Sequence, residues 1–113
     1  MNKTTFINRE IVFGTYFLGQ WIDASGSDDV QESFAILSKN PFKYIPLFLH
    51  TAINSTAEMY GLEKVELFQV IEGVDEGGGI AGEKIQAILK VFTDSMTANV
   101  GNEKKGVRKV VGK

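Results

Sequence analysis

The residues best arranged for chemistry are Gly77-Gly78-Gly79-Ile80-Ala81-Gly82. They satisfy G-x-G-x-x-G and stand before an amphipathic stretch, so their backbone amides could cradle a phosphate at the mouth of a helix. That chemistry needs a strand before the glycines, a parallel strand after the helix, and an acid about 20 residues further on. Residues 65–72 read as helix instead, and no strand pattern follows residue 98. Gly82-Glu83-Lys84 also sets a carboxylate where a phosphate loop carries its lysine, and a carboxylate there repels phosphate. The glycines are read as a flexible link between two helices.

Other reactive groups are scattered. His50 is the only histidine, and Glu58, two turns away, is a poor second ligand for a metal. Asp28-Asp29 and Asp75-Glu76 are sequence neighbours, which point apart on a helix, and neither pair has the spacing of a calcium loop. The six serines, Ser25, Ser27, Ser33, Ser38, Ser55 and Ser95, have no nucleophile-elbow motif around them. Cysteine is absent, which removes disulfides, thiolate ligands and cysteine nucleophiles, and is in keeping with a reducing compartment such as a cytoplasm. The reading is of a chain with no catalytic residue, no cofactor and no metal centre.

Charge narrows the class further. The net charge of −2 hides an asymmetry. Residues 1–98 carry seven Lys/Arg against thirteen Asp/Glu, whereas residues 99–113 carry five bases, Lys104, Lys105, Arg108, Lys109 and Lys113, against Glu103 alone. An acidic body repels nucleic-acid phosphates, and contact through a basic tail alone is weak and non-specific. A small helical nucleic-acid-binding regulator is the alternative reading, but it would need an outward row of Lys/Arg on a folded helix, and none precedes residue 99. The longest apolar stretch, Ile11 to Ile22, is broken by Gly14, Thr15, Gly19 and Gln20, too short and interrupted for a span of about 20 apolar residues. Glu10 directly before it makes it a poor signal peptide.

The elements follow from periodicity. Length fits one domain, taken as residues 1–98, with 99–113 as a basic tail. Thr4 to Ile7 and Glu10 to Phe13 predict a short hairpin turning at Asn8-Arg9, with Phe6, Ile11 and Phe13 competing for its buried face. Phe17, Leu18, Trp21 and Ile22 predict a first helix that ends by Ser25-Gly26. Ser27 is placed as the cap of a second helix whose stripe is Val30, Phe34 and Leu37. Asn40-Pro41 ends it and opens a third, in which Pro46 requires either a single turn before a new helix or one kinked helix. Its stripe runs through Phe48, Leu49, Ala52, Ile53, Ala57 and Tyr60 to a Gly61 cap. Glu63 to Glu72 predicts a shorter helix with Val65, Phe68 and Ile71 aligned, and Ile85, Ile88, Leu89, Phe92 and Met96 predict the last. The fold class is mainly α: a short N-terminal β-hairpin followed by a bundle of four to five short helices.

Several of these residues resemble a family. Phe6-Ile7-Asn8-Arg9-Glu10-Ile11-Val12-Phe13-Gly14 is similar to the strand–turn–strand opening of the small tail assembly chaperones of long-tailed bacteriophages and prophages. There the hairpin runs into a helix with a Leu-Gly pair, similar to Tyr16-Phe17-Leu18-Gly19. Lys39-Asn40-Pro41-Phe42-Lys43-Tyr44-Ile45-Pro46 resembles an Asn-Pro-led helix start in some members, and the later order of helix, acidic-glycine loop and amphipathic helix is similar too. The resemblance covers residues 5–98. Arg9 stands where the family's hairpin turn has Gly.

The resemblance implies a non-enzymatic binding protein of the host cytoplasm. Such chaperones bind the tape measure protein, keep its long hydrophobic helices soluble, and help recruit tail tube protein around it, without entering the finished particle. Many also have a longer form made by a ribosomal frameshift. Glu103-Lys104-Lys105-Gly106 marks where an A-rich slippery codon run would lie, and a gene without such a heptamer would remove that expectation. A helical bundle with eight Phe, one Trp and three Tyr has aromatic anchors to offer an amphipathic partner. The expected partner-binding residues are Tyr16, Trp21, Phe42, Tyr44, Phe68 and Phe92. The basic tail offers a contact to an acidic partner or, in self-association, to another subunit.

Overall fold

The computed structural model describes residues 3–96; the basic tail and its Glu103–Gly106 stretch lie outside them. Two strands and five helices follow in order: β1 (Lys3–Phe6), β2 (Arg9–Val12), α1 (Thr15–Ser25), α2 (Val30–Lys39), α3 (Pro41–Tyr60), α4 (Leu67–Glu76) and α5 (Glu83–Met96). The fold is mainly α with one antiparallel hairpin at its N-terminus.

The hairpin turns one residue earlier than its composition predicts. Phe6 pairs with Arg9 and Thr4 with Ile11, so Ile7-Asn8 is the two-residue turn. Both turn residues have positive φ, 46° and 62°, as a type I′ turn requires. Asn accepts that conformation readily, while a β-branched Ile does so only under strain. Phe6 and Ile11 share one face of the ribbon, and Phe13 follows just beyond it, so the three do not compete: all are buried. The outer edge of β2 faces α3, where the Val12 N–H donates to the Thr56 hydroxyl at 2.9 Å.

The core is aromatic. Phe13, Phe17 (α1), Phe48 (α3) and Phe92 (α5) lie with ring centroids 4.8–5.9 Å apart. Trp21 meets Phe48 edge-on at 5.3 Å, and Phe34 of α2 meets Phe92 at 5.1 Å. Edge-to-face pairs of this kind add roughly 0.5–1.5 kcal/mol each to the burial of the rings. The Trp21 indole N–H donates to the Ser33 carbonyl at 3.3 Å, which ties α1 to α2 inside the core.

The caps explain most helix ends. Gly26 closes α1 in the left-handed conformation. Asp29, two residues beyond the expected Ser27, caps α2 by accepting from the Glu32 N–H at 2.8 Å, while Glu32 accepts from the Asp28 N–H at 2.7 Å. Asn40 ends α2 and begins α3, with Pro41 in its first turn. Pro46 is carried inside one continuous 20-residue helix. Its missing N–H removes the i→i−4 bond to the Phe42 carbonyl near the helix start. Gly61 closes α3, and the Leu62 N–H returns to the Ala57 carbonyl at 2.8 Å in a Schellman pattern.

α4 corrects the expected helix 63–72. Residues 62–66 are held extended across α3 instead. Asn54 grips Val65 from both sides, its amide nitrogen donating to the Val65 carbonyl at 2.9 Å and its oxygen accepting from the Val65 N–H at 2.8 Å. The Arg9 guanidinium donates to the Glu63 carbonyl. With those backbone groups committed, helix begins only at Leu67, where Gln69 reaches back to the Glu66 N–H at 2.9 Å. The buried stripe of α4 becomes Val70, Gly73 and Val74. Val65 is buried in the segment before the helix, and Phe68 and Ile71 turn outward.

Candidate protein-binding surface

The displaced register of α4 creates the surface of interest. Leu67 and Ile71, one turn apart, lie on the outer side of the helix. They face the first turns of α3 across a groove of about 360 Å³, lined by Phe42, Pro46, Leu67, Ile71, Val74 and Ile80. Phe42 is 81% exposed and Phe68, one turn from Ile71, is 66% exposed. Large apolar side chains this open on neighbouring elements mark an interaction surface more often than a chance exposure.

Charge is unevenly spread around this surface. Between Lys64 and Lys84 the chain has no Lys or Arg, while Glu66, Glu72, Asp75, Glu76 and Glu83 follow one another. All five are exposed, and Asp75 lines the groove itself. Lys43 stands on the opposite wall, its ammonium 5.2 Å from the centre of the Tyr44 ring. The groove is thus mainly apolar with one acid and one base in its lining, while Glu72 and Glu76 line a separate cleft beside Ile7 and Arg9.

The six expected anchors divide. Trp21 and Phe92 are core residues, 0% and 5% exposed, and as folded present nothing to a partner. Their neighbours in the aromatic cluster come from other elements, which helical spacing alone does not reveal. Tyr44 is half-buried beneath Lys43. Tyr16 is exposed, but its hydroxyl donates to the Glu58 carboxylate near the far end of α3, roughly 24 Å along that helix from Phe42 at 1.5 Å per residue. Phe42 lines the groove and Phe68 stands beside it. The reading of single residues passed over Leu67, Ile71 and Ile80. The signal was present in Leu67 and Ile71 at helical spacing among unopposed acids, but the expected register turned Ile71 inward.

A second, polar cleft lies between α1, α3 and the extended segment. His50 Nε2 sits 3.0 Å from the Asn54 amide nitrogen and 3.1 Å from the Val65 carbonyl. Glu58 accepts from Lys64 at 2.8 Å through one oxygen and from Tyr16 through the other. The Lys64 hydrogen bond, then the Tyr16 hydrogen bond, hold the Glu58 carboxyl below its ordinary range. The same contact with Glu58 holds the Tyr16 phenol above its own. Each of these groups is engaged in fastening residues 62–66 or α1 to α3.

The glycine run is not arranged as a phosphate cradle. It follows a helix, and its amides bond to the chain itself. The Gly77, Gly79 and Gly82 N–H groups donate to the carbonyls of Gly73, Val74 and Gly79 at 3.0, 2.8 and 3.0 Å. Among the described residues no three His, Asp or Glu side chains converge on a point where a metal could sit. Nor, among them, is any helix long and apolar enough to cross a membrane. Lys and Arg are spread thinly, with at most two on any helix. Comparison with known protein families, with curated proteins and with solved structures finds no match.

Proposed function

We propose that this chain is a non-enzymatic assembly chaperone, of the kind that holds a phage tape measure protein during tail assembly in the host cytoplasm. The single observation that supports a binding role is the open apolar groove between α3 and α4, walled by Phe42, Leu67 and Ile71. Its apolar lining suits an amphipathic helix laid into it with the apolar face inward. Affinity comes from a few aromatic and aliphatic anchors, while the excess of acids over residues 1–98 speeds encounter with a basic partner and keeps the free chaperone soluble. The identity of the partner rests on the resemblance of residues 5–98 to tail assembly chaperones. Recruitment of tail tube protein and the frameshifted longer form rest on the same resemblance.

Co-expression tests this directly. The long, coiled-coil-rich protein encoded next to this chain should be insoluble alone and should become soluble, and co-purify, when this chain is present. A partner that remains insoluble, with nothing co-purifying, contradicts the proposal.

A further inference from the structure

Within its apolar lining the α3–α4 groove holds two charges of opposite sign, one on each wall. Lys43 stands on the α3 wall beside Phe42, and Asp75 on the α4 wall beyond Leu67 and Ile71. Both are exposed, and among the described residues neither joins an ion pair. The α4 wall from Leu67 to Asp75 is about 12 Å long at 1.5 Å per residue, so the charged and apolar members share a short patch.

An occupant with charges of one sign meets one of these groups and is repelled by the other. A second copy of the same groove answers both. A two-fold axis running along the groove exchanges its walls, so the α3 wall of each copy lies over the α4 wall of the other. Lys43 then faces Asp75 of the second copy, and Asp75 faces its Lys43. Phe42, 81% exposed on one wall, meets Leu67 and Ile71 of the second copy.

We propose that two copies of this chain pair face to face through the α3–α4 groove, related by a two-fold axis along it and registered by the reciprocal Lys43–Asp75 contacts. The patch is small and each body is acidic, so the pair is a weak one that forms and parts readily. Pairing covers the apolar surface of the free protein, and a partner helix laid into the groove displaces the second copy. The inference goes beyond the chaperone reading and holds whichever protein that partner is.

Charge exchange in the full-length protein tests this. By sedimentation, the native chain should pass from monomer to dimer over roughly 10 µM to 1 mM, the range of a weak contact. Lys43→Asp places two acid–acid contacts in the pair and Asp75→Lys two base–base contacts, so each alone should pair at least about tenfold more weakly. Mixed in equal amounts, the two variants should form a mixed dimer about as well as the native chain, because each supplies the charge the other has lost. Phe42→Ser, which leaves both charges in place, should also weaken the native pair. A native chain that stays monomeric throughout overturns the proposal. So do single variants that pair as well as the native chain, or a mixture no more dimeric than its components. All of these measurements use this chain alone, so the pairing and the chaperone reading, which is tested by co-purification, fail separately.

Discussion

Gly73 of α4 lies directly beneath Ile7 of the hairpin turn, so close that a methyl group on Gly73 would occupy the place of the Ile7 Cγ2. The Phe6 ring stands 3.1 Å from the same point. The turn holds Ile7 at φ 46°, a conformation that costs a β-branched residue energy, and its contact with α4 is the visible return. The hairpin and α4 are therefore fitted to each other through one side chain and one missing side chain.

Gly73→Ala should destabilise the protein by about 1–3 kcal/mol, the usual cost of overfilling a core. Ile7→Ala removes the atom that collides first, so the double variant should be less destabilised than the two single variants summed. Urea denaturation of the four proteins checks this. Strict additivity would mean that Ile7 and Gly73 do not oppose each other in solution.

Asn54→Ala should cost about 1–3 kcal/mol, because it strips the Val65 N–H of its acceptor and leaves the Val65 carbonyl with His50 as its one side-chain neighbour. The loss should be local first. Amide exchange at Val65 should accelerate more than exchange at Phe48 or Phe92, which sit in the aromatic core. Equal acceleration across the chain would show that residues 62–66 are not a separately held segment.

Much of this fold was legible in the sequence, and the exceptions share a cause. The hairpin, the Gly26 and Gly61 helix ends and the stripe of α5 follow from local chemistry: β-branched pairs, glycine caps and a 3.6-residue period. Residues 62–66 do not, because what keeps them out of helix is Arg9 and Asn54, which are distant in sequence. The four-residue error in the start of α4 then rotated the helix in the reading, hiding the groove that Leu67 and Ile71 form with Phe42. Trp21 and Phe92 read as anchors for a related reason. Aromatic residues at helical spacing look alike whether they face a core or a partner, and only the meeting of hairpin, α1, α3 and α5 decides. Pro46 was readable as a difficulty but not as its resolution.

The Tyr16–Glu58–Lys64 group should respond to pH in two directions. Glu58 has its folded value lowered, so its contribution to stability is present above the ordinary carboxylate range and is lost as pH falls through the folded value. Tyr16 has its value raised, so its contribution is present below the ordinary phenol range and is lost as pH rises through the folded value. Carboxyl titration by NMR should move Glu58 back toward its usual range in Lys64→Met, and by less in Tyr16→Phe, since the Lys64 hydrogen bond is the larger cause. Both groups are exposed, so the change in melting behaviour should be small.

The groove claim predicts a separation of stability from binding. Phe42→Ser alters a side chain that is 81% exposed and should change unfolding free energy by no more than about 0.5 kcal/mol, whereas Ile71→Ser, at a side chain 38% exposed, should cost about 1–2 kcal/mol. Trp21→Ala should cost about 3–5 kcal/mol, because it empties the core. Thermal melts of the three variants distinguish surface from core. A large loss in Ile71→Ser would mean that this side chain supports the fold and is not held out for a partner.

The most direct test joins that separation to function. The tape-measure-like partner is co-expressed with the native chain and with the Phe42→Ser, Ile71→Ser double variant, and the soluble partner bound to each is measured. The native chain should retain the partner, and the double variant, still cooperatively folded, should lose most of it. Undiminished retention by the double variant would place the binding surface elsewhere and contradict the account.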